Sequence, residues 1–348
     1  MNKITLTIND QQVEGSEGMT VLEVANEAGI YIPTLCYHPY LASFGGCRLC
    51  VVEIENVRGF PTACTIPAND GMVVKTDTEQ LQEFRRGVLE LILSESRHIC
   101  LICSADGRCE LQKVANHIGA KGITLPRTFK EQPAYNKDPF FDRDYNLCIL
   151  CGRCVRVCQE VRGAGVLAFT YRGSQTLVGT AFSRSLQESG CQFCGACVDV
   201  CPTGALMERN RKWLGPTAES EVLTTCPYCG VGCQLKLQLR EGKIIEVLPQ
   251  AENEVNRGQA CVKGRFGIQE FVHHSERLTA PLVKRDGKFV ESTWDEALEL
   301  VASRLAGYQA DELAVIASAK ATNEDNYVAQ KLCRAVLGTN NIDHCARL

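Results

Sequence analysis

The chain has 348 residues, of which 45% are hydrophobic and 22% are charged, and its formal net charge is −4. This length predicts two to four domains, and the acidic balance argues against the strongly basic face that binds nucleic acid. The apolar runs are much shorter than the roughly 20 residues needed to cross a bilayer, and the first residues show no export signal. We therefore expect a cytoplasmic protein without a membrane span.

The 21 cysteines are too many to be ordinary core residues. Disulfide scaffolds belong to secreted and usually short proteins, whereas a long chain without a signal peptide uses clustered cysteines to bind metal. Zinc is the main alternative to iron, because paired C-x2-C motifs also form zinc knuckles. The grouping of the cysteines along the chain distinguishes these possibilities.

The beginning of the chain predicts a β-grasp module. Residues 4–8 alternate like a half-buried strand, and an Asn-Asp turn leads into a second strand that ends near Gly15. Thr20 begins a capping box that opens a helix, and Gly29 ends this helix. The loop that follows carries the first cysteine group, which consists of Cys36, Cys47, Cys50 and Cys64.

Gly45 and Gly46 lie beside the second cysteine of this group. Glycine allows backbone N–H groups to approach sulfur closely, so four thiolates in this loop predict a [2Fe–2S] centre. The alternative is a zinc knuckle with two core cysteines.

A second capping box at Thr76 predicts a longer helix. One face of this helix is apolar and is formed by Leu81, Phe84, Val88, Leu89 and Ile92. The helix leads to the second cysteine group, Cys100, Cys103 and Cys109, which lacks a fourth cysteine. Residues 123–147 contain Pro, Lys and Asp with poor periodicity and predict a linker.

Residues 148–201 contain an internal repeat of the pattern C-x2-C-x2-C-x3-C. Ferredoxins with two clusters have this pattern, and the fourth cysteine of each run binds the other cluster. The three closely spaced cysteines of a run can bind three corners of one cluster, but the chain then leads away, so the fourth cysteine of that run does not reach the fourth corner. One predicted [4Fe–4S] ligand set, the third cysteine group, is Cys148, Cys151, Cys154 and Cys201. The other, the fourth cysteine group, is Cys191, Cys194, Cys197 and Cys158.

The weakly periodic residues 207–222 precede the fifth cysteine group, which consists of Cys226, Cys229, Cys233 and Cys261. Beyond it, Thr293 begins a third capping box, and the helix that follows has a stripe formed by Leu298, Val301, Ala302 and Leu305. A short buried strand at 313–318, a helix from Asn323 to Gly338 and a strand-like ending predict the opening of an α/β sheet domain. Cys333 is expected to be a buried structural thiol.

Residues 1–220 resemble the electron-input region of the complex I large subunit, of iron-only hydrogenases and of cytoplasmic formate dehydrogenases of anaerobes. In these families one His and three Cys hold a [4Fe–4S] cluster at the second cysteine group, with the His four residues before the first Cys. In this sequence that position is Ser96, so His98 is the candidate ligand, and a surface His is the alternative.

The motif CPYCGVGC at 226–233 resembles the amino-terminal [4Fe–4S] domain of molybdopterin-dinucleotide oxidoreductases, and its wording is close to that of formate dehydrogenases. In that family a Lys two residues after the last Cys lies between cluster and pterin, and Lys263 matches it. A solvated surface Lys is the alternative.

The resemblance implies an α+β multidomain iron–sulfur protein that ends in the incomplete start of an α/β molybdopterin domain. The expected parts are a β-grasp [2Fe–2S] domain at 1–79, a helical one-His/three-Cys segment at 80–122, a ferredoxin domain with two [4Fe–4S] clusters at 138–210, a small [4Fe–4S] domain at 221–280 and the molybdopterin domain from 281 to 348.

The stretches 318–327 and 338–348 resemble selenocysteine-containing formate dehydrogenases, which continue directly into the metal-ligating selenocysteine. We therefore expect an amino-terminal portion in which selenocysteine, whose codon UGA is also a stop, would follow Leu348. Another stop codon at that place, or UGA without an insertion hairpin behind it, would contradict this expectation. The alternative is the natural carboxyl terminus of an accessory electron carrier.

The implied function is that of a formate dehydrogenase catalytic subunit, which oxidises formate reversibly to CO2 at molybdenum or tungsten held by molybdopterin guanine dinucleotide. Electrons would pass near Lys263 into four [4Fe–4S] clusters and one [2Fe–2S] cluster, and then to a partner. Without the metal ligand, the 348 residues alone are expected to be inactive with formate.

The sequence has no Gly-rich nucleotide fingerprint, so the expected partner is a flavin-containing NAD(P) diaphorase subunit, a ferredoxin or a hydrogenase module. Three alternatives remain. They are a non-catalytic large electron-transfer subunit of an NADH-oxidising or hydrogenase complex, an iron-only hydrogenase, and a nitrate or polysulfide reductase.

Overall fold

The computed structural model describes residues 2–120, 122–132, 134–135, 137–209, 218–251 and 253–346. The chain divides into two compact units, residues 1–217 and residues 218–348, and each is described by itself. The strands are β1 (Lys3–Ile8), β2 (Gln11–Ser16), β3 (Glu53–Ile54), β4 (Val73–Lys75), β5 (Phe141–Arg143), β6 (Ala168–Thr170), β7 (Leu177–Gly179), β8 (Leu206–Glu208), β9 (Ser220–Thr225), β10 (Gln234–Arg240), β11 (Lys243–Pro249), β12 (Leu282–Arg285), β13 (Lys288–Glu291), β14 (Val315–Ala317) and β15 (Ile342–His344). The helices are α1 (Val21–Glu27), α2 (Glu79–Glu95), α3 (Glu110–Ile118), α4 (Arg153–Arg156), α5 (Ala196–Asp199), α6 (Ile268–Val272), α7 (Trp294–Leu305) and α8 (Asn323–Lys331).

The first unit begins with a four-stranded sheet in the order β2-β1-β4-β3, with β1 antiparallel to β2 and parallel to β4. The alternate residues Ile4, Leu6 and Ile8 are buried in the core that this sheet shares with α1. The Thr20 side chain accepts the Glu23 N–H, and the Glu23 carboxylate accepts the Thr20 N–H. The predicted hairpin, capping box and β-grasp topology are therefore confirmed.

The helix α2 differs from the prediction in its start and in its buried face. Its N-cap is Thr78, whose hydroxyl accepts a first-turn N–H, so the capping box predicted at Thr76 is wrong. Thr76 instead exchanges two hydrogen bonds with Asn9. Phe84, predicted on the apolar face, is 38% exposed, whereas its neighbour Arg85 is 1% exposed. A cation buried in this way requires acceptors, and it finds them in the loop of the first cysteine group.

The antiparallel pair of β5 and β8 lies on either side of the cysteine repeat in the chain. The one-turn helices α4 and α5 begin at equivalent places in the two runs, each after a glycine with positive φ, which is 74° for Gly152 and 80° for Gly195. Beyond α4 the chain continues in a wider helical turn, Val157–Val161. The predicted linker is irregular until β5, and its residues 133 and 136 lie outside the described residues.

The second unit contains the antiparallel sheet β11-β10-β9, whose core includes residues from the fifth cysteine group and α6. Residues 210–217, part of the weakly periodic stretch, lie outside the described residues. The strands β14 and β15 pair in parallel with α8 between them in sequence, which confirms the predicted α/β opening. The N-cap of α8 is Thr322, so its predicted start is wrong by one residue.

The burial predicted for the end of the chain differs from the structure. Ile316 in β14 is 84% exposed, because in the described part of this unit β14 pairs with β15 alone. The apolar stripe of α7 forms on a helix without a buried residue. Cys333 is fully buried, as predicted, and its thiol donates to the Thr339 carbonyl at 3.3 Å.

The expected continuation into selenocysteine concerns Leu348, which lies outside the described residues together with Arg347. The structure therefore does not test this expectation, and it stays a prediction. In the described ranges, no helix is long and apolar enough to span a membrane.

Candidate metal centres

The first cysteine group converges in the loop between α1 and β4. Cys36, Cys50 and Cys64 are fully buried, and the Cys47 N–H donates to the Cys36 sulfur at 3.4 Å. The Leu35 N–H donates to the Cys47 sulfur at the same distance of 3.4 Å. Such N–H groups stabilise negative charge on sulfur, as a thiolate bound to iron requires.

The pKa values in this group show how crowded the sulfur atoms are. Contact with Cys36, and then burial, raise the pKa of the Cys47 thiol. Cys36 lowers the pKa of Cys64, but contact with Cys50 and burial outweigh this and raise it to about 12. Gly45, which has a φ of 64°, also directs its N–H at the Cys64 sulfur. Four crowded sulfur atoms, three of them on fully buried cysteines, can ionise together only beside a cation, so the donor set fits a positively charged metal centre.

The second cysteine group lines a cavity of about 400 Å³ together with His98. The Nε2 atom of His98 is 2.7 Å from the Leu93 carbonyl oxygen. When Nε2 donates to this carbonyl, Nδ1 is left unprotonated, which is the state that binds a metal. Ser96 is 1% exposed and donates its hydroxyl to the Ile92 carbonyl. The candidate ligand His98 therefore lies at the cavity, two residues beyond the position at which the related families have their His.

Two further features shape this cavity. Cys109 is the N-cap of α3. Burial raises the pKa of its thiol, and the Gln112 and Leu111 N–H groups, which point at the sulfur, oppose this rise. Gly204 lies against Cys103, and a Cβ atom at this position would be 2.7 Å from the Cys103 sulfur. The lack of a side chain at Gly204 thus leaves room for the Cys103 sulfur.

The structure brings the two cysteine runs together with their fourth members exchanged. Burial, and next the Cys151 and Cys201 thiols, raise the pKa of Cys154 well above its ordinary value. Burial, and next thiols that include Cys158, raise the pKa of Cys197. Cys201 thus lies near the first run, and Cys158 lies near the second.

The backbone repeats between the two runs as well. The Leu150 N–H donates to the Cys148 sulfur, and the Phe193 N–H donates to the Cys191 sulfur, both at 3.4 Å. Leu150 and Phe193 have positive φ angles, 53° and 49°, although neither is glycine. The same strained turn therefore aims an N–H group at the same cysteine of each run.

The fifth cysteine group converges in the second unit. Burial and then the Cys261 and Cys229 thiols raise the pKa of Cys226. Gly264 packs against this group, since a Cβ atom at that position would lie 3.4 Å from the Cys226 sulfur. Lys263 begins the wide helical turn Lys263–Gly267 and is exposed.

Two arginines of α4 connect three of these groups. Arg153, 3% exposed, donates through its two terminal nitrogens to the carboxylate of Glu110, which directly follows the second group, at 2.7 and 2.8 Å. Arg156, 8% exposed, donates to the carbonyls of Cys36 and Ala42 in the first group's loop. The single turn of α4 therefore contacts both neighbouring groups while it carries a cysteine of the third.

Arg85 plays a similar part inside the first group's loop. Its Nε donates to the Leu49 carbonyl at 3.0 Å, and its Nη2 donates to the Val51 carbonyl at 2.8 Å, so it holds both neighbours of Cys50. Burial lowers the pKa of this arginine.

Sequence reasoning missed these three arginines. Arg85 is four residues from both Leu81 and Leu89, which put it on the apolar face of a helix. Arg153 and Arg156 stand directly among the closely spaced cysteines of a run. A charged residue at a position that the pattern makes apolar is the signal that identifies such a residue.

The donors assembled at these places are almost entirely sulfur. In the ranges that the structure describes, no three His, Cys, Asp or Glu side chains converge as a single metal ion requires. The five groups and the N–H groups around them fit iron–sulfur clusters, which are held by cysteine thiolates.

Five family models match successive parts of the chain. They are "2Fe-2S iron-sulfur cluster binding domain" at 1–79, "NADH-ubiquinone oxidoreductase-G iron-sulfur binding region" at 85–123, "NADH-quinone oxidoreductase subunit 3, ferredoxin-like domain" at 138–207, "Molybdopterin oxidoreductase Fe4S4 domain" at 219–274 and "Molybdopterin oxidoreductase" at 277–348.

Several curated relatives match 99% of the chain. An NADH-quinone oxidoreductase subunit of Rhizobium meliloti is 39% identical over 347 residues, and 40% of its own length is covered. The NADPH-Fe(3+) oxidoreductase subunit alpha of Geobacter sulfurreducens is 36% identical, with 40% of its length covered. A protein of Staphylococcus aureus named "Putative formate dehydrogenase" is 32% identical, with 39% covered. The chain thus spans about two fifths of the length of these relatives.

A solved structure is also similar. The crystal structure of the NAD+-reducing [NiFe]-hydrogenase in the H2-reduced state matches 61% of this chain and 90% of its own, with 31% identity and a TM-score of 0.54.

Fold and site together define a multidomain iron–sulfur protein of mixed α and β structure, with a 2Fe–2S domain and 4Fe–4S ferredoxin-like domains ahead of the start of a molybdopterin domain. Successive parts of the chain thus match the iron–sulfur region of the NADH-quinone oxidoreductase type and the molybdopterin oxidoreductases.

Proposed function

We propose that the chain is the electron-transfer portion of a formate dehydrogenase catalytic subunit, with the cysteine groups as cluster ligands. The first group would hold one [2Fe–2S] cluster, and the second group with His98, and the third, fourth and fifth groups, would each hold one [4Fe–4S] cluster. When bound, these clusters accept and release single electrons, and a molybdopterin-held metal supplies two-electron chemistry. Molybdenum or tungsten and the guanine dinucleotide belong to this proposal.

The observation that carries the proposal is the convergence of the cysteines into five separate groups, which the chain's own residues prepare in the same way. Backbone N–H groups point at the sulfur atoms, and burial shields Cys36, Cys50 and Cys64 of the first group and Cys154 of the third from water. Buried arginines connect three of the groups within the first unit. These N–H groups and arginines stabilise the cysteine thiolates and hold them in fixed positions, as repeated one-electron transfer requires.

The choice of formate is supported by the motif CPYCGVGC at 226–233 and by the relative whose name gives that activity. Lys263, directly after the fifth group, is proposed to lie on the path between that group and the pterin. A flavin-containing NAD(P) diaphorase subunit, a ferredoxin or a hydrogenase module is the proposed partner. The selenocysteine expected after Leu348 stays a prediction.

A second candidate is an electron-conducting subunit of an NADH-linked or hydrogenase complex, without formate chemistry of its own. The 39% identity to the Rhizobium meliloti protein and the similarity to the hydrogenase structure favour it. The two candidates share the clusters and differ in the substrate.

The test uses full-length protein prepared anaerobically. Iron, sulfide, zinc, molybdenum and tungsten are measured first, and formate-dependent reduction of a low-potential dye is measured next. We expect about 18 iron atoms per chain, from one [2Fe–2S] and four [4Fe–4S] clusters, together with formate-dependent dye reduction. Full cofactor content without dye reduction would refute formate and favour the conducting subunit, whereas zinc in place of iron would refute both candidates.

A further inference from the structure

The loop of the first cysteine group is fixed to the ferredoxin-like part from two sides. Arg156 in α4 donates to the carbonyls of Cys36 and Ala42, and its guanidinium carbon lies 5.0 Å from the centre of the Phe44 ring. One turn further along the chain, the Glu160 carboxylate accepts the Ala42 N–H at 2.9 Å. Ala42 is therefore held through both its N–H and its carbonyl.

Arg156 differs from Arg153 in how its charge is balanced. The Arg153 guanidinium forms a two-bond ion pair with the Glu110 carboxylate. The partners of Arg156 described above are two carbonyls and an aromatic ring, none of which carries a formal charge. Glu160 is exposed, so water screens its carboxylate.

A buried cation is unfavourable unless a negative group lies nearby. Arg156 donates to the backbone carbonyl of Cys36, a proposed cluster ligand. The centre held by the first cysteine group would therefore supply the negative charge that balances the Arg156 guanidinium. One-electron reduction of such a centre adds one negative charge, and a nearby cation in a buried place stabilises the reduced form more than the oxidised form.

We propose that Arg156 is a positioning residue for electron transfer, which fixes the first group's loop against α4 and raises the reduction potential of the centre held there. This proposal rests on the proposed binding of a [2Fe–2S] cluster by that group. The electron comes from an added chemical reductant in the test below, and no bond of the protein forms or breaks.

The test is a redox titration of anaerobic full-length protein with dithionite, in which the electron paramagnetic resonance signal of the [2Fe–2S] centre is followed. Arg156→Gln removes the charge and is expected to lower the equilibrium constant for reduction of the [2Fe–2S] centre about tenfold. For a one-electron couple this makes the reduction potential about 59 mV more negative. Arg156→Lys keeps the charge and is expected to stay within about threefold of the parent protein. Glu160→Gln is the matched control, since it alters the other side of the same loop at an exposed charge and is expected to change reduction less than about threefold.

The outcomes separate the two proposals. A parent protein without a [2Fe–2S] signal would refute the ligand set before any variant is measured, and the role of Arg156 would fall with it. If the parent shows the signal, an unchanged potential in Arg156→Gln overturns the role of Arg156 alone. If Arg156→Gln loses the signal, its retention in Arg156→Lys supports the need for a cation, and its loss in both variants overturns the role of the charge.

Discussion

Arg85 is the residue whose replacement tests the packing of the first cysteine group most directly. It is 1% exposed and donates to the carbonyls of Leu49 and Val51, on either side of Cys50. Arg85→Met keeps most of the apolar stem and removes the guanidinium, so both carbonyls lose their donor while they remain buried.

An unsatisfied buried polar group costs about 1 to 3 kcal/mol, so the two carbonyls together cost about 2 to 6 kcal/mol. Removal of the buried charge returns part of the desolvation cost of arginine, which favours the lower end of this range. A loss of about 2 kcal/mol corresponds to about 30-fold in an equilibrium constant.

The assay is hydrogen exchange of the full-length protein, followed by mass spectrometry of peptides that cover residues 47–64. The Val52 and Ala63 amides in this segment donate to backbone carbonyls and report its local opening. We expect their protection to fall at least about 30-fold in Arg85→Met. Arg86→Met, on the exposed side of the same helix, is the control and should change protection little. If protection in Arg85→Met decreases by less than about threefold, or decreases equally in both variants, the predicted role of Arg85 is refuted.

Three further predictions concern the other groups. Gly204→Ala should lower the iron content by about four atoms per chain, because the new Cβ would lie 2.7 Å from the Cys103 sulfur. Gly87→Ala is the control and should leave the iron content unchanged, because there is open space around Gly87. Equal iron content in the two variants would contradict this prediction. Cys158→Ser should remove the cluster of the second run and Cys201→Ser that of the first, as counted by iron content and paramagnetic resonance, and the opposite assignment would refute the exchange. His98→Ala should change the resonance signal of the second group's cluster, and an unchanged signal would place the fourth ligand elsewhere.

The sequence alone determined the features that depend on neighbouring residues. The alternation of residues 4–8, the capping box at Thr20 and the cysteine spacing within each run of the repeat at 148–201 all concern residues a few positions apart. Their geometry is therefore fixed by the backbone periods of strands, helices and tight loops. The exchange of Cys158 and Cys201 could also be predicted, because a short loop reaches only three corners of a cluster.

Tertiary structure decided what depends on distant residues. Arg156 and the Cys36 carbonyl are 120 positions apart in the chain, and Arg85 and the Val51 carbonyl are 34 apart. Whether His98 is a surface residue or lies at the second group's cavity depended on tertiary structure, and the start of α2 depended on the contact of Thr76 with Asn9. Local periodicity carries no information about such contacts, because a buried charge or hydroxyl is satisfied by whichever distant carbonyl, carboxylate or amide the folded chain places beside it.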